Sequence, residues 1–510
     1  MGRPPRAFPR LCCPGTHRIA HCHAIIMLLS GIHGVPLWLS APVISALDAL
    51  VFGPDTNVYS LDTDTIGPVT TMTSFRDTFG ALSPALHGIV VSSVLLPGAV
   101  TALIIGVLAD RYGRTRIITI GSLVYGVGVT LETFSMWLAM FIVGRLLKGV
   151  GEGLFLSTVY VHVCEISPAR KRGVMASVVQ FFISLGLVLG FFICYGTSHL
   201  SSSISWRLPI ALANVAASPL LPQSPRWLQA RGRSNEANQI IDQLGLDDAE
   251  KAELQSQSTE MLPHSPNVPF WQSVRDTAYD LKEAFRGPFR SRTLFGCFLL
   301  AFQQFSGIDG VLYYAPILLR MAGISSQNAS FLASGVSAIV ILVVTIPATI
   351  WADAWGHKTS AVVGGSLIFT LMLISGSLYA AGEVHGDRGA GRWVVIVNIY
   401  LFAAVFSATW AIGFRAFLIE SLPSTNFLVA LTTPIFVATS TFGAYYFFAF
   451  ATFLCTVVSA LYMFETKGRT LESIEKRCSE KQAMRRQTLS IGRWSLPVRG
   501  FRLRANSTRS

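Results

Sequence analysis

The sequence predicts an all-α membrane protein built from two six-helix halves, and three observations carry that prediction. Only 13% of the 510 residues are charged, whereas 51% are hydrophobic; a soluble domain carries about 25% charged residues. The apolar residues gather into runs long enough to cross a bilayer, which takes about 20 residues for about 30 Å of hydrocarbon. Short motifs of the first half of the chain recur in the second. A soluble enzyme, a disordered regulator and a nucleic-acid-binding domain are thereby excluded for the whole chain. The formal net charge of +12 would suit nucleic acid. Its Lys and Arg, however, lie between the apolar runs and in the tails, as topology-setting charges do.

Each element follows in order. Residues 1–23 form a basic tail carrying Arg3, Arg6, Arg10 and Arg18. Its cluster of Cys12, Cys13, His17, His21, Cys22 and His23 fits no standard zinc spacing, so no metal site is expected there. Residues 24–222 form the N-terminal helical half. Clear runs lie near 85–109, 117–138, 139–163 and 174–196; an irregular stretch at 24–52 precedes them and a short one at 208–221 follows. Residues 223–292 are a polar linker of mixed charge. The C-terminal half, 293–464, holds runs near 294–319, 329–352, 360–381, 393–414 and 441–464, with a short one at 427–438. At 1.5 Å per residue the two short runs reach only about 21 and 18 Å, so the sixth and eleventh helices read as truncated. Residues 465–510 are a second basic tail.

Orientation follows from the basic residues. Arg111, Arg114 and Arg116 fill one short connection, and Arg170, Lys171 and Arg172 another; residues 53–84 hold Asp55, Asp62, Asp64 and Asp77 against a single Arg76. Both tails are therefore expected in the cytosol. The halves repeat loosely. Gly106-Val-Leu-Ala-Asp110-Arg111-Tyr-Gly113-Arg114 recurs as Trp351-Ala-Asp353-Ala-Trp-Gly356-His-Lys358, and Glu165-Ile-Ser-Pro168 as Glu420-Ser-Leu-Pro423. A duplicated bundle places a substrate site near the midplane between its repeats.

Physical chemistry suggests roles for several residues. A short turn carrying Asp110 between Gly106 and Gly113 lets two helices approach and a carboxylate meet arginines at their ends. Gln303, Gln304 and Asp309 are polar groups in an otherwise apolar run, and burying them unpaired would cost several kcal/mol each. Amides donate and accept, which suits a polyol; interhelical hydrogen bonding is the structural alternative. Lys148 and Glu152 stand at i, i+4 and can pair locally, leaving Arg145 to seek a partner off its own helix. Arg415 is an ionisable residue in a membrane segment. It either pairs with Glu420 or receives an anionic substrate.

The chain resembles the sugar porter family of the major facilitator superfamily, and within it the fungal sugar and quinate permeases. Five motifs in order carry the resemblance: Gly106–Arg114; Glu165-Ile-Ser-Pro168 with Arg172-Gly173; Ser224-Pro225-Arg226-Trp227; Gln303-Gln304 through Asp309, Tyr313, Tyr314 and Pro316; and Glu465-Thr-Lys-Gly-Arg-Thr-Leu-Glu472. The resemblance implies the major facilitator fold and no enzymatic activity. It also implies a substrate set of Gln180, Gln303, Gln304, Asp309 and Tyr313. Leu187 stands where relatives often have a further Gln, and Arg415 where many have Trp; Trp410 is then expected to line the cavity. The implied cytosolic gate comprises Gly106, Asp110, Arg111, Gly113, Arg114, Glu165, Arg172, Arg226, Asp353, Glu420 and Glu465. In proton-coupled relatives the residue matching Arg145 faces an aspartate of the first helix, which here is Asp62 or, second, Asp55.

The resulting expectation is a multi-pass plasma-membrane transporter, monomeric and in lipid, without cofactor and driven by a proton gradient. Its small-molecule partner is a sugar, a cyclic polyol or quinate, and no nucleic acid is involved. A permease for quinate or another organic anion, a non-transporting nutrient sensor and a non-functional truncated transporter stay open as alternatives.

Overall fold

The computed structural model describes residues 65–166, 172–212, 223–243, 251, 270–286, 290–324, 327–384, 389–413 and 423–463. The first half comprises α1 (Thr73–Phe79), α2 (Pro84–Ser92), α3 (Leu95–Tyr112), α4 (Arg114–Thr133), α5 (Leu138–Ile166), α6 (Arg172–Ser198) and α7 (Ile204–Leu212). The linker holds α8 (Pro225–Ala230), α9 (Ser234–Gln243) and α10 (Phe270–Ala284). The second half comprises α11 (Arg290–Gln304), α12 (Ile308–Tyr313), α13 (Ala315–Met321), α14 (Gln327–Trp355), α15 (His357–Ala380), α16 (Gly391–Gly413), α17 (Pro423–Thr439) and α18 (Thr441–Tyr462). No strand occurs among the described residues.

Among the described residues, five stretches are long and apolar enough to cross a bilayer: Pro84–Tyr112, Thr293–Val311, Lys358–Ala380, Gly391–Ala411 and Thr441–Tyr462. Their outer faces present large apolar side chains such as Leu103, Phe450 and Leu461, each more than 60% exposed. Hydrocarbon, not water, is the solvent such faces fit. The eleventh helix is longer than its apolar run suggests, because α17 takes in Pro423 to Leu428 and spans 17 residues. The irregular run 24–52 lies outside the described residues.

The first half is stapled by aromatic rings. Phe75 of α1 meets Phe141 of α5 and Trp206 of α7 edge-on, with centroids 5.5 Å apart in both pairs. The Trp206 indole donates to Thr78 Oγ1 at 3.3 Å. The halves then meet along two seams. At one, α2 lies so close to α17 that a Cβ on Gly88 would stand 2.4 Å from the Leu431 carbonyl oxygen. At the other, Leu187 and Phe191 of α6 pack on Ala338 and Ile341 of α14, with Ser184 and Thr345 hydroxyls 3.4 Å apart.

The predicted run 294–319 is not one helix. It breaks after Gln304 and again at Tyr314. Gly307 adopts φ +85° at the first break, and the Phe448 ring of α18 lies where a Cβ would be, 2.8 Å away. Both features require glycine. A left-handed residue with a Cβ costs about 1–2 kcal/mol, before any displacement of Phe448. Gly307→Ala is therefore expected to lower the thermal unfolding midpoint of the purified protein in detergent.

Candidate functional site

The break in the run 294–319 sets out the central residues. Gln303 and Gln304 close α11, Ser306 Oγ donates to the freed Gln303 carbonyl at 2.6 Å, and Asp309 lies in the first turn of α12. Gln303 Nε2 donates to the Trp410 carbonyl oxygen of α16 at 3.2 Å. One donor of that amide is thus used to fix it, while the second donor and the oxygen acceptor are left over. Gln304 is half-buried and makes no side-chain hydrogen bond among the described residues. Asp309 Oδ2 is buried without a hydrogen-bond partner. Three groups able to bond a polyol therefore cluster about one helix break.

Trp410 departs from expectation. Its side chain is fully buried, its indole donates to the Ala361 carbonyl of α15 at 3.0 Å, and Phe406 packs on it. It holds Gln303 through its backbone and does not line an open cavity. Tyr314, one residue beyond Tyr313, donates to the Ala430 carbonyl of α17 at 2.8 Å. Its ring meets His87 of α2 edge-on at 5.3 Å, and His87 Nε2 is 2.8 Å from Thr70 Oγ1. This contact joins the two halves beside the break.

Arg145 is fully buried on α5, and the partner described for it lies on α4. Its Nη1 is 3.1 Å from Glu132 Oε1, and its Nη2 donates to the Val91 carbonyl of α2 at 3.1 Å. Lys148 Nζ bonds the other Glu132 oxygen. One carboxylate thus serves two cations, all three side chains being 0% exposed. The Glu132 contact reaches Lys148 from the neighbouring helix, a partner that the i, i+4 spacing to Glu152 does not reveal. Gly149 makes the arrangement possible: a Cβ there would fall 2.1 Å from the Val94 carbonyl, at the break between α2 and α3. Asp62 and Asp55 lie outside the described residues.

At the end of the bundle that carries the Gly113 turn, Arg114 is the hub. It pairs with Asp110 across the Gly113 turn at 2.5 Å and with Glu165 of α5 at 3.1 Å. Asp110 is 50% exposed and Glu165 only 9%. An ion pair in water is worth little, so the Glu165 contact is the one that matters. Gly113 has φ +94°, with Trp227 packed on it. Gly106 does not act as expected: a Cβ there would meet open space, so it is no close-approach point. The Trp227 indole and the Arg231 guanidinium donate to the Asp110 carbonyl at 2.9 and 3.1 Å. Arg231 also reaches the Arg111 carbonyl. Donors there satisfy the orphan carbonyls of the α3 C-terminus. Arg111 lies 6.0 Å from the Phe270 ring, and Arg226 is half-buried on α8. Gln180 and Arg172 fall on α6, Tyr313 on α12 and Asp353 on α14, but their side chains are outside the described set, as are Arg415, Glu420 and Glu465 altogether.

The comparisons decide the family. The profile described as "Sugar (and other) transporter" matches residues 49–477. The chain belongs to that sugar transporter family. It is 30% identical to the glucose transporter GlcP of Staphylococcus epidermidis over 79% of this chain and 91% of that protein. To the arabinose-proton symporter of Bacillus subtilis it is 27% identical, over 85% and 93% respectively. Among solved structures, the major facilitator proton:xylose symporter XylE, from E. coli, covers 86% of this chain with a TM-score of 0.67 at 21% identity, and 98% of that chain is matched. The fold is that of the major facilitator superfamily.

Sugar transporter motifs alone do not reveal Glu132, His87, Tyr314 or Arg231 as contact residues. Glu132 did leave a signal, as the lone acid within the run 117–138, and an ionisable residue in a membrane segment calls for a partner. Removing one member of a buried ion cluster costs about 3–5 kcal/mol. Glu132→Gln is expected to lower the unfolding midpoint strongly. Glu132→Gln with Lys148→Met, which buries one cation fewer, should melt at a higher temperature than Glu132→Gln alone.

Proposed function

We propose that this sugar transporter family member carries a sugar, a cyclic polyol or quinate by alternating access, with a proton as co-substrate. The carrying observation is the helix break, where an amide anchored to Trp410 stands near the unsatisfied Asp309 oxygen and the unbonded Gln304. Hydroxyl groups can donate to Asp309 and both donate to and accept from the glutamines. Binding beside the contact of Tyr314 with His87 couples occupancy to the seam that must open. The relatives named as glucose, arabinose and xylose transporters favour a monosaccharide within this class.

For the proton we favour Asp62, then Asp55, as the carboxylate exchanging with Arg145. A carboxylate near an arginine in a low-dielectric cavity binds a proton when the arginine withdraws and releases it on return. Glu132 provides Arg145 with a counter-charge while the pair is open. The proton gradient is the driving force, and no cofactor takes part. The plasma membrane suits uptake from outside, with a monomer whose tails face the cytosol, as the arginines at 111–116 favour.

Counterflow of radiolabelled sugars in proteoliposomes tests the assignment. Gln303→Ala and Gln304→Ala should each lose one or two hydrogen bonds to substrate, about 1–3 kcal/mol, or roughly 5- to 150-fold in KM, with normal membrane insertion. Unchanged KM in both variants would refute the site. Asp62→Asn should keep counterflow yet fail to accumulate substrate under an imposed pH gradient. Retained accumulation in that variant would exclude Asp62 as the carrier.

A further inference from the structure

From α10 we infer a second binding surface: a docking face for the anionic headgroups of the cytosolic lipid leaflet. The helix runs between two membrane spans. At its start Phe270 lies under the Arg111 guanidinium, 6.0 Å away, at the last turn of the span Pro84–Tyr112. Beyond its end the chain enters the span Thr293–Val311 within nine residues. A helix of 15 residues, about 22 Å long, between the ends of two spans lies along the membrane surface.

The side chains are sorted to match that position. Successive helical residues turn by about 100°, so Trp271, Lys282, Arg275 and Tyr279 share an arc of about 80°. Arg286, in the turn after the helix, and Arg290, opening α11, extend the row of cations. All six are exposed, Trp271 at 78% and Tyr279 at 62%. The acids of the helix, Asp276, Asp280 and Glu283, fall about 120–180° round from Trp271, beyond the arc of cations and aromatics. Phe270, by contrast, is half-buried against the protein. Trp and Tyr favour the headgroup layer, and Lys and Arg beside them are drawn to an anionic leaflet. The Lys282 ammonium resting 6.0 Å from the Tyr279 ring keeps charge and aromatic surface on one side. Aromatic and basic groups alternating on one face, with the acids turned away, match the charge of a lipid headgroup layer.

The test uses the full-length protein in phosphatidylcholine vesicles with and without phosphatidylserine, carrying a nitroxide-labelled lipid near the headgroup. The difference in fluorescence between the parent protein and Trp271→Phe isolates Trp271. Its emission is expected to be quenched by the nitroxide lipid, severalfold more when phosphatidylserine is present, and high salt should remove that increment. Arg275→Gln/Lys282→Gln/Arg286→Gln should lose the phosphatidylserine increment while keeping counterflow in phosphatidylcholine, which shows that it is folded. Quenching by aqueous acrylamide without quenching by nitroxide lipid would turn the face to the cytosol or to a soluble partner and overturn the inference. So would lipid quenching that does not respond to phosphatidylserine, or a phosphatidylserine response that survives the triple substitution.

Discussion

In hydrocarbon no water relieves an orphan backbone group, so a helix can break only where protein groups take over its hydrogen bonds. The break at Gly307 meets that demand and organises the second half. Ser306 covers the Gln303 carbonyl, and Gly307 admits the Phe448 ring where a side chain would stand. The same break turns Gln303 towards α16 and Tyr314 towards α17 and His87. The Gln303 amide becomes an anchored group with bonding capacity to spare, and Gln304 beside it makes no side-chain hydrogen bond among the described residues. The candidate substrate groups and the contact of Tyr314 with His87 and α17 lie on either side of one interruption.

The first half solves a different problem, that of burying charge. Two cations and a carboxylate with no exposed surface are expensive to desolvate, and such clusters persist where every member is paired and where function requires them. Glu132 gives one oxygen to Arg145 and the other to Lys148, and Arg145 extends to the Val91 carbonyl at the break between α2 and α3. Lys148 can balance Glu132 whenever Arg145 changes partner, so a moving guanidinium need not strand a bare carboxylate. At the Gly113 turn the same chemistry lies close to water. Arg114 there joins three helix ends through Asp110 and Glu165, and only its buried contact contributes much.

Much of this was legible in the amino-acid order. A low charge fraction, apolar runs of bilayer length and paired motifs determine a duplicated helical membrane protein, because the bilayer leaves helices as the economical way to satisfy the backbone. The five motifs lead to the family; Gln303, Gln304 and Asp309 stand out as polar groups in an apolar run, and Asp110, Arg114 and Glu165 belong to the gate motifs.

What the sequence could not decide was partnership. Composition does not say that Glu132 answers both Lys148 and Arg145, since a neighbour across a helix interface is invisible to a spacing rule of four residues. Nor does it say that Trp410 is buried, that Gly106 faces open space, or that Arg231 caps the end of α3 from the linker. Those depend on how closely two backbones approach, which Gly149 and Gly88 permit only once the helices are packed. The sequence by itself determined which groups had to be satisfied; the tertiary structure decided which neighbours satisfy them, because pairing energies in a low-dielectric interior fall off over a few ångströms and only packing sets such distances.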